Sequence, residues 1–347
     1  MKNLFFSKTL PQIKNSSDCV VIYDRVLPKV SKNFAKWLKG FEKTYAVHAG
    51  EELKDISNFP SHIQKITKIC ETTSVSRLQI IVVGGGSVGD FGGFVASILK
   101  RGVGLVHIPS TWLAAIDSAH GGKTALNVGD AKNQVGTFYP AQSIYIVEDL
   151  LRAQPEARAF DGFGELLKIS LLEGGSFWKK LSKEKNVDSQ LLWKYLKPAI
   201  QAKYAIVNKD PQEKKGIRHL LNLGHTVGHV LEKMHDLPHG VAINYGIDFS
   251  LRWSLEKKMI TAKEYEAVMA SPVMVYLLSP LRDHLLKTNE SFLNKVRQGL
   301  LNDKKKDSQS TVRFIFLKKP GHCVPVSVSV DDILIEICRQ VEEEKLG

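Results

Sequence analysis

Leu78–Val83 (L-Q-I-I-V-V) runs almost without interruption as an apolar stretch. It stops at Gly84-Gly85-Gly86 and is followed by Val88–Leu99, apolar along one face of a helical repeat. A strand with nearly continuous apolar positions is buried on both sides, which points to a mostly parallel sheet covered by helices. The same texture recurs through the first half of the chain. Cys19–Tyr23, Thr44–Val47, Leu105–Ile108 and Ser143–Val147 read as strands. Ser31–Leu38, with Ser31 as its N-cap, and Ser61–Cys70, starting after Pro60, read as helices. Beyond about residue 155 the periodicity becomes helical, over Phe160–Leu172, Gln190–Val207, His225–Met234, Ala242–Lys257, Thr261–Met269 and Ser291–Leu301. One late strand, Thr311–Leu317, interrupts these segments, and Asp331 or Asp332 is expected to cap a last helix through Glu342. The expected fold is therefore an α/β N-terminal domain over 1–155 and a mainly α-helical C-terminal domain over 156–347.

A chain of 347 residues suits two such domains better than one small core. No apolar run approaches the ~18 residues of a membrane helix. The N-terminal Leu4-Phe5-Phe6 patch is far short of a secretory leader's apolar region. Cys19, Cys70, Cys323 and Cys338 are scattered without a C-x-x-C pair, so reduced thiols and a cytoplasmic location are expected. The net charge of +12 is spread along the chain, and the longest basic run, Lys304–Lys306, is flanked by Asp303 and Asp307. That distribution argues against nucleic acid and for a solvated basic surface with some cations turned toward an anionic small molecule.

Three patches carry chemistry. His225, His229, His235 and His239 fall within fifteen residues, in L-N-L-G-H-T-V-G-H followed later by H-G. His225 and His229 share a helix face, and imidazoles clustered in this way suit a divalent cation such as zinc, whose catalytic sites keep three protein ligands. Glu165 and Lys168 lie three apart in a helix whose other positions are mostly apolar, so a buried carboxylate there needs a cation. Gly84, Gly86 and Gly89 fit G-x-G-x-x-G between a strand and a helix, a Rossmann-like arrangement that brings backbone N–H groups up to a pyrophosphate. The acid expected about 20 residues further on is missing, so another carboxylate, Asp24 or Glu51, is needed for the ribose. Between these patches, Gly121-Gly122-Lys123-Thr124 suggests a close turn that aims an ammonium at an anion.

Taken in order, these patches resemble the 3-dehydroquinate synthases, within the sugar-phosphate cyclases. The resemblance rests on G-G-G-x-x-G-D (Gly84–Asp90), R-G (Arg101-Gly102), P-S-T (Pro109–Thr111) and D-S-x-x-G-G-K-T (Asp117–Thr124) with Lys132-Asn133. It continues through G-x-x-E-x-x-K (Gly162–Lys168), R-x-L-L-N-L-G-H-x-x-G-H (Arg218–His229), His239-Gly240 and D-K-K (Asp303–Lys305). It implies that Glu165, His225 and His239 hold zinc or cobalt, and that His229 lies beside a substrate phosphate. It implies that Lys123, Asn133, Lys168, Lys203, Arg218, Asn222 and Lys305 hold the substrate, with Asp117 near the nicotinamide and the substrate and Arg101 reaching a neighbouring subunit. Asp24, Glu51, Lys54, Gly84, Gly85, Gly86, Gly89, Asp90, Ser110, Thr111 and Lys132 would serve NAD.

The implied reaction converts 3-deoxy-arabino-heptulosonate 7-phosphate to 3-dehydroquinate and phosphate, a step toward the aromatic amino acids. It proceeds by transient oxidation with NAD, β-elimination of phosphate, re-reduction and intramolecular aldol closure. A cytoplasmic homodimer acting on a small phosphorylated sugar acid, with neither nucleic acid nor membrane as partner, is the accompanying expectation. The chain departs from the family pattern at Val241, where an acid usually follows His-Gly, at Ala157-Arg158, at His120, and in a longer Asp210–Arg218 segment. Two alternatives are another sugar-phosphate cyclase and a metal-dependent polyol or glycerol-phosphate dehydrogenase. Arg218 and Asn222 favour a substrate bearing a carboxylate over the first, and the absence of net NADH would exclude the second.

Overall fold

The computed structural model describes residues 3–278, 290–301 and 310–346. The chain separates into two compact units, 1–159 and 160–347.

The first unit is built on six parallel strands: β1 (Leu4–Ser7), β2 (Cys19–Asp24), β3 (Thr44–Val47), β4 (Gln79–Gly84), β5 (Gly104–Pro109) and β8 (Ser143–Val147). They lie in the order β1-β8-β5-β4-β2-β3. Side chains alternate across this sheet. Val20, Ile22, Ile80, Val82 and Leu105 pack on one face with Phe59, Phe91 and Val95. Val21, Ile81, Val83, Val106 and Ile108 pack on the other with Leu27 and Phe34. Both faces are thus buried, which is why the strands read as apolar runs rather than as alternation. Helices α1 (Lys32–Leu38), α2 (Phe59–Ile69) and α3 (Gly86–Ile98) complete this framework, and Ser31 Oγ accepts the Phe34 amide as the N-cap of α1. Helix α2 begins at Phe59, before rather than after Pro60, because proline is well tolerated in a first helical turn.

The patch around Lys123 is a β-hairpin, β6 (Lys123–Val128) against β7 (Ala131–Phe138). No strand was expected there. Its signal is the two-residue Gly129-Asp130 connection, with Gly129 at φ +55°. The turn ahead of it does take the conformation that two glycines allow, Gly121 and Gly122 both having positive φ.

The second unit contains α4 (Ala159–Glu173), α5 (Ser189–Val207), α6 (His225–His235), α7 (His239–Glu256), α8 (Ala262–Met269), α9 (Glu290–Leu301) and α10 (Val330–Leu346). It also carries a two-stranded antiparallel ribbon, β9 (Thr311–Lys319) with β10 (His322–Ser329). Strand β10 escaped the sequence reading because Pro325 interrupts it, and a two-stranded ribbon tolerates a missing donor. The core joins Val227, Val230 and Leu231 of α6 to Phe249 and Trp253 of α7, Phe314 and Phe316 of β9, and Ile333 and Ile337 of α10. The cap of α10 is Ser329, whose hydroxyl accepts the Asp332 amide, and not Asp331 or Asp332. Both acids sit in the first turn, where the helix dipole favours them. Among the described residues no helix is long and apolar enough to cross a membrane.

Candidate active site

The strand order of the parallel sheet reverses between β2 and β4, the place where open α/β sheets bind ligands beyond the carboxyl ends of their strands. Asp24 ends β2, and Gly84-Gly85-Gly86 leads from β4 into α3. None of Gly84, Gly85, Gly86 and Gly89 has positive φ. At Gly84 the requirement is space: a Cβ there would lie 2.5 Å from Val88 Cβ.

A polar cluster adjoins this turn. Lys54 is buried, and its ammonium donates to Asp90 Oδ2 at 2.6 Å and to Asn133 Oδ1 at 2.5 Å. Asn133 sits on β7 with φ +55°, and its backbone amide donates to Asn127 Oδ1. Asn127 Nδ2 donates to Glu51 Oε2 at 2.8 Å, and Lys132 Nζ lies 3.5 Å from Glu51 Oε1. Burial pushes the Asp90 carboxyl above its usual range despite Lys54. Glu51 is held low, because Asn127, Lys54 and Lys132 together outweigh its partial burial. Asn133, assigned above to substrate by resemblance, therefore sits with Lys54 and Asp90. Asp24 accepts the Val26 amide, and Ser110 is buried with its amide bonded to Gly84 O. Thr111 Oγ1 caps the next turn through the Ala114 amide. Arg101 and Lys123 are exposed, and Asp117 lies in a short π-helical turn, Ala114–Ser118, on which buried His120 bonds Ala115 O.

In the helical unit a second cluster forms where α4, α6 and α7 converge. Glu165 is fully buried on α4. One of its oxygens, Oε2, meets Lys168 Nζ at 2.5 Å. The other, Oε1, faces His225 Nε2 at 3.2 Å and His239 Nε2 at 3.5 Å. Each imidazole is anchored through its opposite nitrogen. His225 Nδ1 lies 3.1 Å from Leu223 O, and His239 Nδ1 lies 3.1 Å from Glu232 Oε2. Glycine makes this convergence possible. A Cβ on Gly240 would fall 1.9 Å from Phe160 O, so α7 touches the α4 backbone beside His239 and Glu165. A Cβ on Gly246 would fall 1.7 Å from Gly224 O, so α6 and α7 are equally close at the start of the His225 helix.

The electrostatics suit a divalent cation. Burial opposes charge on Glu165, yet Lys168 and the two imidazoles hold its carboxyl well below the usual range. Burial also opposes charge on His239, but the carboxylates of Glu165 and Glu232 raise its pKa to about 10. One ionised carboxylate oxygen thus faces two Nε2 atoms, an arrangement that a cation can bridge. Among the described residues two sets of donors lie within 4.8 Å of one another: Glu165, His225 and His239, and His229, Glu232 and His239. One carboxylate oxygen with two imidazole nitrogens is a donor set that suits zinc or a similar borderline ion.

The remaining expected residues are placed as follows. His229 is half-buried, its ring centroid 4.9 Å from that of His225, whereas His235 is exposed against Phe292. Lys203 is buried on α5. Buried Arg218 donates from Nη1 to Pro211 O, in a loop whose amides at Lys215, Ile217 and Arg218 converge on the Asp210 carboxylate. Asn222 ends the 3-10 turn that follows. Lys305 lies outside the described residues. The sequence reading missed Glu232, Asn127 and Asp210. Glu232 was within reach, since it follows His225 and His229 at i+7 and i+3 on one helix face.

The fold is shared with a 2-deoxy-scyllo-inosose synthase whose structure holds carbaglucose-6-phosphate, NAD+ and Co2+. The TM-score is 0.80 at 22% identity, covering 97% of this chain and 96% of the other. The family described as 3-dehydroquinate synthase N-terminal matches residues 44–161, and 3-dehydroquinate synthase C-terminal matches 162–306. A 3-dehydroquinate synthase of Leptospira interrogans is 32% identical over 312 residues, covering 86% of this chain and 81% of the relative. One of Legionella pneumophila is 36% identical over 267 residues, covering 75% and 69%. The chain belongs to the 3-dehydroquinate synthase family.

Proposed function

We propose that this chain converts 3-deoxy-arabino-heptulosonate 7-phosphate to 3-dehydroquinate and phosphate, as a lyase that uses NAD and one divalent metal. The observation that carries the reading is the pairing of a fully buried carboxylate oxygen, Glu165 Oε1, with the Nε2 atoms of His225 and His239. Those three residues would hold the metal, zinc or cobalt. NAD would be served by the first unit, through the Gly84–Gly86 turn, Asp24 and the cluster around Lys54, Asp90 and Glu51. When bound, the metal acidifies a substrate hydroxyl and NAD takes up and returns a hydride.

The protein's own groups do the rest. Glu165 and the two imidazoles fix the direction from which a hydroxyl approaches. Lys168 sits against the other Glu165 oxygen, Oε2, and helps to keep that carboxylate ionised. Arg218, braced by the Asp210 loop, and Lys203 offer cations to a carboxylate and a phosphate dianion, charges that shift as phosphate departs. Asn222, His229, Asp117, Lys123, Asn133 and Lys305 are assigned to substrate by the family motifs, and Arg101 to the site of a second copy in a homodimer.

The test is turnover with NAD, Co2+ or Zn2+ and the heptulosonate phosphate, followed by phosphate release and by absorbance at the NADH band. Stoichiometric phosphate without accumulating NADH supports the reading. Net NADH from a polyol or glycerol phosphate, without phosphate release, would replace it with a dehydrogenase.

A further inference from the structure

We propose that Glu232 is the positioning residue of this site, orienting His239 through its Nδ1. The inference rests on the reading that Glu165, His225 and His239 hold one divalent cation. The two imidazoles are anchored by different means. His225 Nδ1 faces a backbone carbonyl, Leu223 O, which no side-chain change removes. His239 Nδ1 faces a carboxylate oxygen of Glu232, 3.1 Å away and seven residues earlier in the chain. A proton on Nδ1 shared with that carboxylate leaves the Nε2 lone pair aimed toward Glu165 Oε1.

His239 also needs outside support. It is the first residue of α7, directly after Pro238, so it has no preceding helical turn to pack against. Val241 turns into the apolar core of the helical unit, so the start of α7 supplies no acid of its own there. Glu232 comes from α6, on the same face as His225 and His229, and one helix therefore presents a candidate ligand and the brace for another. A carboxylate in this role also makes the imidazole a stronger donor. Glu232 and His229 lie close enough to His239 to form a second donor set, and the His239 nitrogen that Glu232 faces is Nδ1. An Nδ1 that donates to Glu232 cannot coordinate a cation, so the geometry assigns one ion to this cluster and not two.

The experiment is Co2+ titration of the metal-free full-length protein, followed by its visible d–d bands. Glu232→Ala and Glu232→Gln are compared with wild type, with Glu165→Gln as a control. Wild type is expected to bind one equivalent. Glu232→Ala is expected to weaken affinity about 10- to 100-fold. Glu232→Gln, whose amide oxygen still accepts the Nδ1 proton, should fall between the two. In the zinc-loaded protein with 15N-labelled histidine, the protected Nδ1–H signal of His239 should vanish in Glu232→Ala and persist in Glu232→Gln. Far-UV circular dichroism of the alanine variant checks that it folds, and the glutamine variant carries the test if it does not. Wild-type affinity in both variants overturns the positioning role. Two equivalents in wild type, one of them lost in Glu232→Ala, makes Glu232 a ligand instead. A wild-type protein that takes up no Co2+ overturns the metal reading itself, and the positioning role with it.

Discussion

Lys54 and Lys168 are both buried lysines that meet a carboxylate, at 2.6 Å on Asp90 and 2.5 Å on Glu165. The two carboxyl groups nevertheless titrate in opposite directions. Asp90 has one cation beside it and burial prevails, so its pKa rises. Glu165 has a lysine on one oxygen and two imidazoles on the other, and these overcome burial, so its pKa falls. Beside a single ion pair burial still dominates, whereas convergent donors on separate oxygens hold a buried carboxyl low and direct it at something. Isosteric amides at the two positions separate these cases. Glu165→Gln keeps an oxygen for Lys168 but removes the charge that the imidazoles face. Metal affinity should fall about a thousandfold, ~4 kcal/mol, with catalytic turnover lost. Metal analysis after dialysis measures the first effect and phosphate release the second. Retention of stoichiometric metal would show that Glu165 is not a ligand.

Backbone contact distinguishes the two regions as well. The polar cluster of the first unit is held by side chains from a turn, a helix and a hairpin. The helical cluster depends on α7 touching α4 at Gly240. Gly240→Ala would drive a methyl group into Phe160 O, and overpacking of this kind costs about 1–3 kcal/mol. Urea denaturation of the metal-free variant should show that loss. Metal affinity should fall with it, because parting the two backbones separates Glu165 from His239. A stable variant that has lost only metal affinity would mean that the helices separate without unfolding. A variant with both unchanged would mean that they are not held together there.

How much of this was visible in the chain depended on distance along it. The parallel strands were legible because burial on both faces leaves a continuous apolar run, as in Leu78–Val83. Glu165 and Lys168 were legible as a same-face pair because α-helical spacing is local. That both are buried rather than a surface ion pair followed from Leu166, Leu167 and Ile169 around them. The contact of Lys54 with Asn133, 79 residues away, carries no local signal. It arises only once β6–β7 folds back beside α3. The glycines of G-H-x-x-G-H are a subtler case. Beside histidines they read as part of a metal motif, yet Gly224 serves to admit α7, a role that depends on Gly246, twenty-two residues later. The resemblance supplied the separation of His229 from the ligand set, which spacing alone left open.

The helical cluster should also give the protein a pH signature that the first unit does not share. His239 has its folded pKa raised from 6.5 to about 10. The metal-free fold therefore binds a proton that the unfolded chain gives up. The associated stability is fully present below about pH 6.5 and is lost as pH rises through about 10. With metal that loss is offset over the same range, because the cation displaces that proton and its affinity grows with pH. Thermal melts of metal-free and metal-loaded protein from pH 6.5 to 10 should therefore diverge, the first falling and the second holding. Parallel curves would remove His239 from between its two carboxylates.

The smallest expected effect belongs to Asp90→Asn. Lys54 keeps two carbonyl oxygens, those of the new amide and of Asn133, and Glu51 still lies near it. The amide still accepts a hydrogen bond from Lys54, and stability should change by roughly 1 kcal/mol. If Asp90 serves the nucleotide, NAD affinity measured by protein-fluorescence quenching should weaken about tenfold, ~1.4 kcal/mol. Metal stoichiometry and the Co2+ bands should be unchanged. The matched amides then give opposite patterns, one silencing the metal and the other weakening only the nucleotide. If Asp90→Asn instead removes metal and leaves NAD binding intact, the assignment of the two ligands to the two units is wrong.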